Sequence, residues 1–84
     1  MGIAELADAV ETREDFARFL HYLAEKSRSH GGKWENSDLA SFLEGASGWT
    51  QDMDGFFLNI GQPVPKEPSW GLFAKILAAA CYYE

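Results

Sequence analysis

The side chains able to do chemistry are few, and their spacing assembles no reaction centre. The two histidines, His21 and His30, stand nine residues apart, which on one continuous helix is a net turn of about 180°. Their imidazoles then point to opposite faces. A metal site needs several converging ligands, and the single cysteine, Cys81, supplies none of the missing ones. No metal and no cofactor is expected. Asp52-Met53-Asp54-Gly55 opens like a calcium loop but fails further on. Such a loop needs glycine at its sixth position, where Phe57 stands, and glutamate at its twelfth, where Pro63 stands. The tetrapeptide reads instead as a turn at a helix end.

Nucleophilic catalysis needs a serine or cysteine with a base and an orienting group. Cys81 lies in an apolar helical stretch, where burial raises a thiol pKa and leaves it inert. Ser41 and Ser47 have no such motif around them. His21 follows Phe19-Leu20 and reads as a partly exposed helix residue rather than a general base. The glycines occur as Gly31-Gly32 and as singletons, not as a phosphate-cradling loop. The chain does not read as an enzyme.

What remains is recognition. From Glu35 to Pro65 the chain holds five carboxylates (Glu35, Asp38, Glu44, Asp52, Asp54) and no lysine or arginine. Trp34 precedes this window, and Trp49, Phe56 and Phe57 lie inside it. Acid with aromatic, unbalanced by base, suits docking of a basic protein partner. Asp38, Glu44, Asp52 and Asp54 would steer it, and Trp34 and Phe56 would anchor it. The plainer reading is a solvated acidic face that keeps the protein soluble. Trp34 either folds back onto the domain or anchors the partner. Trp49 and Trp70 fall on helical stripes and are expected in the core. Phe56 and Phe57 diverge by about 100° on a helix, so one of the two is expected to be partly exposed.

The elements that must position these groups are helical by period. Ile3, Leu6, Ala7 and Val10 repeat at helical spacing and predict a short first helix. Thr12 is a good N-cap, with Glu14 and Asp15 in the first turn, where the helix dipole favours acids. Phe16, Phe19, Leu20 and Leu23 continue as one stripe, and Gly31-Gly32 stops a helix running from about Arg13 to Ser29. Asn36 or Ser37 is expected to cap a third helix, with Leu39, Phe42, Leu43, Ala46, Trp49 and Met53 on its buried face. Gly45 and Gly48 each cost about 1 kcal/mol relative to Ala, which predicts irregularity after Gly45. Asp54 to Ile60 fits either an alternating strand or a helix, and helix is preferred for want of a pairing strand. Three prolines make the stretch from Gly61 to Pro68 a loop. Ser69 then caps a last helix that is apolar on most sides, and such a helix belongs at the centre of its fold. The fold class is all-α, a bundle of four or five short helices in a single domain over residues 1–84.

Composition narrows the function classes. Eighty-four residues with 46% hydrophobic content are enough for one core. A chain of this length hides only roughly 60–65% of the surface its unfolded form exposes. A formal charge of -6 argues against nucleic-acid binding and against docking on anionic lipid. No signal peptide and no membrane span is visible, and one cysteine excludes an internal disulfide. These features suit a cytoplasmic protein.

Asp15-Phe16 with Phe19-Leu20, then Trp34-Glu35-Asn36, Leu39, Phe42-Leu43, Trp49 with Asp52, Trp70, Ala79-Ala80 and Tyr83-Glu84 carry a resemblance. From about Val10 onward the chain resembles a small bacterial all-helical domain family with no assigned function. The resemblance implies a compact helical domain that stands alone, and it carries over no site residue. In size and charge the chain also looks like immunity proteins that neutralise a toxin. The expectation is a non-catalytic interaction module, immunity- or inhibitor-like, that binds a basic partner. The alternative is a homo-oligomeric structural or regulatory subunit, suggested by the apolar last helix.

Overall fold

Each helix boundary is set by a local hydrogen-bond device. The structure, a computed structural model, describes residues 2–30 and 38–82, without the side chains of 29 and 30. It contains α1 (Ile3–Asp8), α2 (Arg13–His30), α3 (Leu39–Asn59) and α4 (Trp70–Ala80), with no strand among the described residues.

Thr12 caps α2 as expected. Its Oγ1 accepts the Asp15 N–H at 3.1 Å, while the Asp15 carboxylate accepts the Glu11 and Thr12 N–H groups at 3.1 and 3.2 Å. This reciprocal box satisfies donors that the first turn leaves orphaned. Ser69 caps α4 in the same manner, accepting the Leu72 N–H at 3.0 Å.

The start of α3 differs from expectation. Its cap is Asp38, whose Oδ1 accepts the Ser41 N–H at 2.9 Å. Asn36 and Ser37 lie outside the described residues. No break follows Gly45. The helix runs unbroken through Gly45, Gly48 and Gly55 to Asn59, so Asp54 to Ile60 is helical up to its C-cap, Ile60. Asp52-Met53-Asp54-Gly55 is therefore helix interior and not a turn. The helix ends in a Schellman motif, in which Gln62 N–H donates to the Phe57 carbonyl at 2.9 Å and Gly61 N–H to Leu58 at 3.1 Å. Gly61 supplies the left-handed residue this motif needs, at φ 71°.

The last helix is the hub. α4 packs against α1, α2 and α3, and α1 also touches α2. This is why α4 can be apolar on most sides. One core cluster joins Ala7 and Val10 to Phe19 and Leu23 of α2 and to Ala74, Ala78 and Cys81. A second joins Trp49 and Phe57 of α3 to Leu72, with Val64 from the proline loop packed against it. α1 approaches closely: a methyl group on Gly71 would stand 2.9 Å from the Val10 carbonyl oxygen.

Among the described residues the backbones of α1 and α2 do not come close to that of α3, although Phe42 reaches the first core cluster. α3 therefore lies mainly along α4 and leaves an open channel on each flank. The body measures 35 × 28 × 20 Å, thin in one direction as this layout requires. No helix among the described residues is long and apolar enough to cross a membrane.

Candidate partner-binding surface

The acids named from the sequence sit on or beside α3, but they do not share one face. Asp38 is at its N-cap, where hydrogen bonding from the Ser41 backbone, ahead of all other causes, holds its carboxyl below the ordinary range. Glu44, Asp52 and Asp54 are all exposed. At about 100° per residue, Asp52 lies about 40° from Phe56 around the axis, Glu44 about 120° and Asp54 about 160°. Among the described residues neither Glu44 nor Asp54 has an ion-pair partner. Trp34 lies outside the described residues.

Phe56 and Phe57 divide as their adjacency requires. Phe57 is 3% exposed and Phe56 39%. Phe56 packs on Trp49 with ring centroids 5.3 Å apart and faces the channel between α1 and α3. The structure thus brings Phe56 near Asp52 and separates it from Asp54.

The other channel is where sequence reasoning missed most. It lies between α2 and α3, holds about 300 Å³, and is lined by Leu20, Leu23 and Ala24 on one side, Leu39 and Phe42 on the other, and Leu77 from α4. Asp38 stands on its α3 side. Leu39 and Leu43, expected on the buried face of α3, are 74% and 57% exposed. The physical reason is that α2 does not close on α3, so a correct apolar stripe is left uncovered. Leu20 is exposed for the same reason.

Trp70 is a further correction. It is not in the core but surface-exposed, 5.5 Å from the Phe16 ring and 6.1 Å from Phe73. Phe16 and Leu20 on α2, and Phe73 and Leu77 on α4, are each four residues apart and so lie on one face. The aromatic cluster continues the channel along the same side of the molecule. One signal could have found this surface. The apolar positions of α3 (Leu39, Phe42, Leu43, Phe56, Leu58) span more of the helix circumference than one neighbour can cover.

Several other titratable groups are paired within the chain. Arg18 pairs with Asp15 and Arg28 with Glu25, so two cations of α2 are neutralised on their own helix. His21 is exposed and lies 3.7 Å from the Glu25 carboxylate. Cys81 is buried, and burial pushes its thiol up to about 11, which keeps it protonated and unreactive at neutral pH. Among the described residues no group of three or more His, Cys, Asp or Glu could hold a metal ion. The arrangement presents an apolar channel with one carboxylate, Asp38, on its α3 side.

No curated protein and no solved structure matches the chain. A family model does, over residues 12–84, which takes in α2, α3 and α4 but not α1. The chain belongs to that family, the family of unknown function DUF7660.

Proposed function

We propose that this protein is a non-catalytic interaction module of a bacterial cytoplasm, immunity- or inhibitor-like, that binds a basic protein partner. The channel between α2 and α3 receives an apolar helix stripe from the partner. Lysine or arginine on either side of that stripe meets Asp38, Glu44 and Asp54. The observation that carries this reading is the uncovered Leu39 beside Asp38 in the channel, with Leu43 exposed one turn further along α3. A contiguous apolar display rimmed by charge is what interaction sites look like. The acids would speed encounter, and the leucines with Phe42 would supply affinity.

The test is affinity capture from host lysate with wild type and with a Leu39→Asp/Leu43→Asp double variant, at low and high salt. The expected result is a basic protein retained by wild type, weakened by salt and lost in the variant. Equal capture by both forms would sink the reading. The alternative is a homo-oligomeric structural or regulatory subunit; α4 is central, yet its Trp70 and Phe73 remain exposed. Sedimentation of concentrated protein as a dimer would favour it.

A further inference from the structure

We propose that the channel on the opposite flank, between α1 and α3, is a binding site for a free aromatic amino acid, held as its zwitterion. It is a different surface from the α2–α3 channel, and neither proposal depends on the other. The cleft holds about 270 Å³, at the small end of ligand pockets. Ala78 and Ala79 of α4 form a low floor, and Ala4 and Ala7 stand on the α1 side. Trp49 and Phe56 form the α3 wall, with their rings tilted at 59°. A ligand ring laid on that wall gains aromatic contact beyond its buried area, which an aliphatic body does not.

The polar end of the cleft carries both signs. Lys75 and Asp8 line it together, with Nζ and Oδ1 3.5 Å apart. That is too long for a well-formed charge-assisted hydrogen bond, and among the described residues neither side chain has another partner. An ammonium has three donors and a carboxylate has about four acceptor sites, so each keeps capacity for a second group of opposite sign. The lining continues along α4 from Lys75 to Tyr82, about 10 Å of rise, so the pair sits at one end. An anionic ligand would meet Asp8 with like charge, and a cationic one would meet Lys75 in the same way. A zwitterion answers both members at once, its carboxylate on Lys75 and its ammonium on Asp8. An α-amino acid holds its nitrogen about 2.5 Å from its carboxyl carbon, so both groups can lie along a pair of this spacing. The four charges then alternate and the site stays neutral. A neutral ligand also escapes repulsion or attraction by the net charge of -6.

The experiment is an NMR titration of the whole chain with L-phenylalanine and with two analogues that keep the ring and a single charge, hydrocinnamate and phenethylamine. Expected is saturable movement of the Trp49 indole and of α4 amides near Lys75 at millimolar phenylalanine, with each analogue binding about tenfold more weakly. Lys75→Gln should weaken phenylalanine roughly tenfold and leave phenethylamine no weaker. Asp8→Asn, at an exposed position, should weaken phenylalanine roughly tenfold and leave hydrocinnamate no weaker. Phenylalanine bound no tighter than the better analogue would overturn the zwitterion site. So would no saturable shift with phenylalanine, or folded variants that weaken all three ligands alike. Shifts centred on Leu39 and Leu43 would place the ligand in the other channel and overturn it equally.

Discussion

Two glycines to alanine should move stability in opposite directions, and the structure fixes both signs. Gly55 lies inside α3 with nothing within 4 Å of where a Cβ would stand. Alanine there gains about 1 kcal/mol of helix propensity with no clash. For a domain of this length, 1 kcal/mol raises Tm by about 4–8 °C. Gly71 is the second residue of α4, and its Cβ would stand 2.9 Å from the Val10 backbone oxygen. That oxygen cannot rotate away. Its own residue is buried, and its N–H is tied to the Ala7 carbonyl at 3.1 Å. Relief requires α1 to lift from α4, which loosens Ala7 and Val10 in the core. Overpacking of this kind costs about 1–3 kcal/mol, so Tm should fall by several degrees. Thermal melts by far-UV circular dichroism, with urea melts to convert them to free energy, measure both variants. A Gly55→Ala protein no more stable than wild type would refute the unbroken α3. A stabilised Gly71→Ala protein would refute the close docking of α1.

Ser69→Ala removes the cap of the central helix and should cost about 1 kcal/mol by urea denaturation, because the Leu72 N–H loses its acceptor. Asp15 carries a pH signature. Its carboxyl is held below the ordinary 3.8, first by the Glu11 backbone N–H. A lowered folded pKa means that the stabilisation is complete above the unfolded value and lost as pH falls through the folded one. Melting temperatures of wild type should therefore drop more steeply below pH 3.8 than those of Asp15→Asn, and parallel curves would disprove the link. Cys81 should resist a disulfide-exchange reagent such as DTNB at neutral pH in the native state and react fully in urea. Fast native labelling would contradict its burial.

The sequence made α4 legible as the central helix, because apolar residues on most of its circumference leave no solvent face. Thr12 and Ser69 were legible as caps, because a hydroxyl followed by helical periodicity has one local solution. Asp38 was harder. Asn36, Ser37 and Asp38 are all cap-competent, and the choice falls on the residue whose carbonyl receives the first helical bond, here Phe42 N–H to Asp38 at 2.9 Å. The continuity of α3 was misread because a propensity cost of about 1 kcal/mol per glycine is small beside the burial of Trp49 and Phe57 downstream. Leu39, Leu43 and Trp70 show the general limit. Periodicity says which side of a helix is apolar, and it is silent on whether a neighbour arrives to cover it. The acids were visible as a run, but their angular spread on α3 needed the helix to be unbroken.

Among the described residues the hub of this fold, α4, is also the last helix in chain order. Ala7 and Val10 share one cluster with Phe19 and Leu23 of α2 and with Ala74, Ala78 and Cys81, so that cluster cannot close until nearly all of the described chain exists. As the chain leaves the ribosome, α1 and α2 can touch each other, but all three earlier helices emerge before the helix they pack around. Their apolar faces stay open until α4 follows them out of the exit tunnel. Folding then waits for α4 and consolidates the described helices together, with long loops to close before contacts reward them. During synthesis the same leucines and aromatics are open to chaperones, and truncation before Trp70 leaves no smaller folded unit behind.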